Sequence, residues 1–139
     1  MRDHLVRWDQ KYKKRGLVII EIDGGRYETL EKVREIVREK KIKHAVLWDE
    51  DCQNHQNYGV DVWPVAYLIG VDGLVVWEGN PFMALHRPKR HQKLKSVIEN
   101  QLKLIKPSNR NPEKLSQSAI SDQQSAISLK NLSFVSLKV

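Results

Sequence analysis

Trp63-Pro64-Val65-Ala66-Tyr67-Leu68-Ile69-Gly70-Val71-Asp72-Gly73-Leu74-Val75-Val76-Trp77-Glu78-Gly79 is the stretch on which the fold turns. Two apolar, β-prone runs, Val65–Ile69 and residues 74–77, flank Asp72-Gly73. An Asp-Gly pair between such runs is a strong hairpin signal, because its residues tolerate the positive φ angles that a tight turn between twisted strands demands. Pro64 has no N–H to give to a ladder, so it belongs at the opening of a strand.

Outward toward the amino terminus, Tyr58-Gly59 closes a helical turn over about residues 51–58, and residues 44–48 form a short strand. Leu30, Val33, Ile36 and Val37 recur at helical spacing within residues 28–41, and oppositely charged pairs such as Glu28/Lys32 and Glu35/Arg38 lie on the other face. Asp23-Gly24-Gly25 reads as a loop, without the further glycines and lysine of a phosphate-binding loop. Leu17-Val18-Ile19-Ile20-Glu21-Ile22 is apolar at nearly every position, as a strand covered on both faces is. Residues 3–15 read as the end of a helix stopped by Gly16. Toward the carboxyl terminus, residues 88–105 form an amphipathic helix with Leu94, Val97, Ile98, Leu102 and Ile105 on one side, punctuated by Pro88 and Pro107. The order helix, strand, helix, strand, turn, hairpin, helix predicts an α/β layered domain over residues 1–107.

Composition changes beyond that point. Gln117-Ser118-Ala119-Ile120-Ser121 recurs as Gln124-Ser125-Ala126-Ile127-Ser128, too short a repeat for a coiled-coil seam. Residues 108–139 are therefore read as a low-complexity, largely disordered tail.

The ordered part resembles the thioredoxin-like superfamily, specifically thiol-disulfide oxidoreductases of the TlpA or redoxin type. The segment from His4-Leu5 to Gly16-Leu17-Val18-Ile19-Ile20-Glu21-Ile22 is similar to the helix end and strand that follow that family's active site. Tyr58-Gly59-Val60, Trp63 to Ile69 and the Asp72-Gly73 hairpin through Gly79 follow in the family's order. The resemblance implies a three-layer sandwich, a cis peptide bond before Pro64, and an extended peptide or protein substrate bound beside Trp63 and Pro64. It implies no cofactor. Trp63 is bulkier than the small or hydroxylated residue often found there.

One departure dominates. The family places Cys-x-x-Cys at the start of the helix whose end lies at residues 3–15, and dithiol exchange needs both thiols. This sequence has one cysteine, Cys52. The chain thus reads as amino-terminally truncated and catalytically incompetent, its sandwich incomplete without the first strand and the start of the first helix. That strand is the family's central one, between the partners expected at Leu17 to Ile22 and at Val65–Ile69, so either a gap in the sheet or direct pairing of those two strands is expected. The alternative is a non-catalytic module that binds extended peptides.

Cys52 itself reads as a structural or incidental thiol, since Asp49, Glu50 and Asp51 disfavour a thiolate, although a helix start there would help slightly. His4, His44, His55, His86 and His91 are scattered and expected to be solvated or capping, with no metal set among them. Trp8, Trp48, Trp63 and Trp77 read as core or rim aromatics.

Charge is unevenly placed: residues 1–79 carry 13 Lys/Arg against 14 Asp/Glu, and residues 80–139 carry 11 against 3. The basic segment lacks aromatic platforms and nucleic-acid motifs, so a solvated helix face is favoured over a nucleic-acid surface or an adaptor for an anionic partner. No apolar run has the roughly 18 residues of a membrane span, and the charged first residues carry no signal peptide. The chain as encoded is expected in the cytoplasm, although full-length relatives implied by the resemblance are often exported.

Overall fold

The computed structural model describes residues 2–24, 28–105 and 132–138. Helix α1 (Arg2–Tyr12) runs through a 3-10 turn, Lys13–Arg15, into strand β1 (Leu17–Gly24). Then come α2 (Leu30–Glu39), β2 (Ala45–Asp49), the short α3 (Gln53–Asn57), β3 (Val65–Ile69), β4 (Val75–Gly79), α4 (Pro81–His86), α5 (Pro88–Leu104) and β5 (Leu132–Lys138). The fold is mixed α/β, as the hydrophobic periodicities predict.

Local chemistry accounts for the boundaries. Gly16 adopts φ 103°, and its N–H donates to the Lys13 carbonyl at 3.0 Å, closing the helix. A Cβ there would also meet Ile105 Cδ1 at 2.7 Å, a side-chain tip that can shift, so it is chiefly the backbone angle that calls for glycine. Thr29 caps α2 by accepting from Lys32 N. Asn80 does the same for α4 through Met83 N, with Pro81 in the first turn; this helix went unread in the sequence although both of its start signals are present. The Asp72-Gly73 turn is present, with Gly73 at φ 82°, and β3 pairs β4 antiparallel. The Trp63–Pro64 bond is cis.

The five strands lie in the order β2-β1-β5-β3-β4. Strand β5 runs parallel to β1, from Leu17↔Leu132 to Asp23↔Lys138, and antiparallel to β3, from Val65↔Leu137 to Ile69↔Ser133. This corrects the expectation of a sheet with its central strand missing. The position between β1 and β3 is filled by Leu132–Lys138, within the segment read as a disordered tail. The physical reason is that β1 and β3 each present a row of backbone donors and acceptors there, and a seven-residue extended segment of the same chain satisfies both rows. The remainder of that segment, 108–131 and 139, and the repeat within it lie outside the described residues.

Side chains alternate across the sheet as the period of two requires. Leu17 and Ile19 of β1 and Ala66 and Leu68 of β3 pack with Leu5, Trp8 and Tyr12 of α1 and Leu94, Ile98 and Leu102 of α5. Ile20 and Ile22 join Val60, Trp63, Val65, Tyr67 and Ile69 in a second cluster. The first cluster holds the larger share of the buried side chains, each worth about 1.5–3 kcal/mol in transfer from water.

A buried ionic group ties α1 to β1. Arg2 Nε donates to Glu21 Oε2 at 3.0 Å, Arg2 Nη2 pairs with Asp23 Oδ2, and His44 Nε2 donates to Glu21 Oε1 at 2.6 Å. Burial pushes the Glu21 carboxyl up, but the His44 and Arg2 partners outweigh it and hold the group below its ordinary value. Among the described residues, no helix is long and apolar enough to cross a membrane.

Candidate functional site

The carboxyl ends of β1, β2 and β5 and the start of β3 share one end of the sheet: Gly24 lies opposite Asp49, Lys138 opposite Asp23, and Leu137 opposite Val65. The crevice beyond the carboxyl ends of parallel strands is where open α/β sheets place ligands, because loops diverge there. An open cleft of about 610 Å³ occurs at this end, lined by Cys52, His55, Gln56, Val60, Asp61 and Trp63 together with Gly59.

Asp49, the last residue of β2, organises it. The Asp49 backbone carbonyl accepts from Cys52 N at 3.0 Å. Its carboxylate accepts from Asn54 N at 3.2 Å, Asn54 Nδ2 at 3.1 Å, His55 N at 3.2 Å and His55 Nδ1 at 2.7 Å. Burial alone raises the Asp49 carboxyl, but the His55 and Asn54 donors more than offset it and keep the group below its ordinary value. The carboxylate therefore both starts α3 and fixes the His55 ring. Because Nδ1 donates to Asp49, a neutral His55 presents an unprotonated Nε2 on the other side of the ring. His55 is 2% exposed, and its Nε2 has no hydrogen-bond partner among the described residues.

Cys52 holds the left-handed conformation, φ 53°, directly before α3. The thiol and the imidazole converge over Gly24: a Cβ built there would lie 3.0 Å from His55 Cε1 and 3.2 Å from Cys52 Sγ. The Trp63 ring forms the opposite wall, 5.7 Å from the His55 ring between centroids. Pro64 follows it and leads into β3. Tyr58 and Val62, 46% and 75% exposed, stand on the flanking loop.

Of the residues singled out in the sequence, Cys52 and Trp63 thus meet in one cleft, with Pro64 adjoining. Asp49, His55 and Gly24 were not singled out as site residues. The available signal was the three-residue spacing Asp49, Cys52, His55, which one helical turn converts into proximity. The expectation that the histidines are solvated or capping is corrected for two of them: His44 and His55 are buried, each held by a carboxylate. Among the described residues no group of three His, Cys, Asp or Glu side chains is arranged to hold a metal ion.

No family model matches the chain, no curated protein is similar to it, and no solved structure matches it. The class defined at this point is therefore that of a mixed α/β protein with a five-stranded sheet and a thiol-imidazole-carboxylate group at the carboxyl end of its parallel strands.

Proposed function

We propose that this chain is a thioredoxin-like protein of the TlpA or redoxin type, built as a helix-covered sheet, that turns over no disulfide through a dithiol. The observation that carries it is the connection Trp63–Pro64 into an antiparallel hairpin, β3–β4, set one strand away from the parallel strand β1 in a sheet and followed by the short α4 and the long helix α5. Two thiols are required to take a substrate disulfide to completion and leave the protein oxidised, and the sequence holds one cysteine.

A second reading, binding of an extended polypeptide beside Trp63 and Pro64, is favoured by the exposed Tyr58 and Val62 next to that loop. Both are tested on the purified chain. Insulin reduction with dithiothreitol is expected to proceed at the uncatalysed rate, and catalysed turnover overturns the first reading. Titration with an unfolded polypeptide is expected to shift the amide resonances of residues 58–66; shifts confined to other surfaces overturn the second.

A further inference from the structure

Strand β2 stands at a border of the sheet: β1 pairs with one side of it, and no strand among the described residues pairs with the other. We propose that this border is an interface between two copies of the chain, which join β2 to β2 antiparallel about a two-fold axis. The proposal goes beyond the function proposed above and does not depend on it.

The strand lacks the usual safeguards. Sheet borders are kept from pairing with another chain by charged side chains, prolines or bulges. Ala45-Val46-Leu47-Trp48 holds no charge and no proline, and its register with β1 runs without a shift. Leu47 is 49% exposed. An open groove of about 420 Å³ adjoins the strand, lined by apolar side chains such as Val37, Val46, Leu47 and Trp48 together with Arg34 and Arg38. An added strand would cover that apolar surface.

Charge identifies the occupant. Lys40, Lys41 and Lys43 precede β2, and Asp49, Glu50 and Asp51 close it. Lys41, Lys43, Glu50 and Asp51 are exposed, and none of them is in an ion pair among the described residues. Within one copy the two sets stand at opposite ends of a strand rising roughly 3.3 Å per residue, too far apart to pair. Antiparallel pairing lays the basic end of each copy beside the acidic end of the other, and symmetry makes each such contact twice. Parallel pairing would set like charge beside like.

The register follows from which carboxylates are free. An axis at Val46 would set Lys43 against Asp49, whose carboxylate already accepts from His55 and Asn54. An axis at Leu47 brings Lys43 of each copy level with Asp51 of the other and sets Trp48 opposite Val46, an aromatic and β-branched pairing that stabilises sheets. The far border offers no equivalent. Around β4 stand Asp72 and Glu78, with no Lys or Arg between Gly70 and Phe82, so a second copy there would meet acid with acid. At physiological salt the net charge of +7 is screened beyond about 8 Å, whereas pairs in contact across the ladder are screened much less.

Five residues a side make an interface below the roughly 1,200 Å² of stable complexes, so the association is weak and depends on concentration. Sedimentation equilibrium of the whole chain, carried to high micromolar concentration, tests it. The weight-average mass is expected to rise from 16.2 kDa toward twice that value and stop there. Leu47→Lys, which sets two ammonium groups together at the axis, is expected to remain a single chain with an unchanged circular dichroism spectrum. Lys43→Glu and Asp51→Lys are each expected to weaken association about tenfold, because each change acts at two symmetric contacts. The double variant, which exchanges the two signs, is expected to recover it. A mass that stays at one chain, growth beyond two chains, unimpaired association of Leu47→Lys or no recovery in the double variant overturns the proposal. Should Leu47→Lys not fold, the charge variants, both at exposed positions, decide.

Discussion

Replacing Arg2 by Met removes the cation shared by two buried carboxylates while keeping much of the aliphatic bulk. Glu21 is 0% exposed and Asp23 is 1% exposed, and Arg2 reaches both from the first turn of α1. Breaking a buried ion pair from one side costs about 3–5 kcal/mol, because the remaining charge stays desolvated. That is a large fraction of the roughly 5–15 kcal/mol by which a domain of this size is stable. The loss depends on pH in a defined direction. In the native protein Glu21 ionises below its ordinary value, so its stabilising contribution is present above that value and is lost as the pH falls through the folded one. Without Arg2 the Glu21 carboxyl holds its proton more tightly and tolerates burial in acid. The deficit should therefore be greatest near neutrality and narrow toward about pH 4, near the reference carboxyl values. Urea unfolding followed by tryptophan fluorescence at both pH values measures it. A deficit below about 1 kcal/mol near neutrality, the worth of an exposed pair, or one that does not change with pH, refutes the account of this cluster.

Gly24→Ala should destabilise by about 1–3 kcal/mol through overpacking, since its Cβ would press on His55 and Cys52; an unchanged urea midpoint would show that the cleft wall yields. Tyr12 donates from its hydroxyl to Glu99 at 2.9 Å, and burial, the Glu99 hydrogen bond and the Glu99 charge together push its phenol up to about 12. Ultraviolet titration should show one tyrosine ionising that late, and its contribution to stability should hold below the ordinary phenol value of about 10 and be lost as the pH rises through the folded one. Tyr12→Phe should cost about 1 kcal/mol and remove that late step. Val135→Pro, which deletes one backbone donor between Ile20 and Tyr67, should abolish cooperative melting, whereas an unaltered melting curve would place β5 outside the sheet.

The elements that sequence periodicity revealed are those whose partners lie on one known side. Val65–Ile69 was legible to the residue because Pro64 and the Asp72-Gly73 turn bound it. The helix over 28–41 was legible through Val33, and only its frayed ends differ from Leu30–Glu39. Strand β1 was found but extends through Asp23 and Gly24, because pairing with Trp48 and Asp49 holds those two residues extended where local composition suggested a loop. Strand β5 was missed for the converse reason. Leu132, Phe134, Val135 and Leu137 are strand-prone, but the neighbouring serines and the repeat upstream gave a disordered signature. Its placement depends on two vacant ladder edges far away in sequence, which no local window contains. At the cleft, Trp63 and Pro64 were marked by the resemblance, while His55 became visible only once the Asp49 carboxylate had drawn it back over Gly24.

The position of β5 in chain order constrains how the protein is made. As synthesis proceeds, β1 with β2, and β3 with β4, emerge as two separate ribbons that no backbone ladder yet joins. Each leaves one flank unzipped until Leu132–Lys138 has left the ribosome and slides between them. Through that interval the nascent polypeptide displays two sticky borders to its neighbours, so crowded polysomes, rather than the finished molecule, are where it is most prone to associate wrongly.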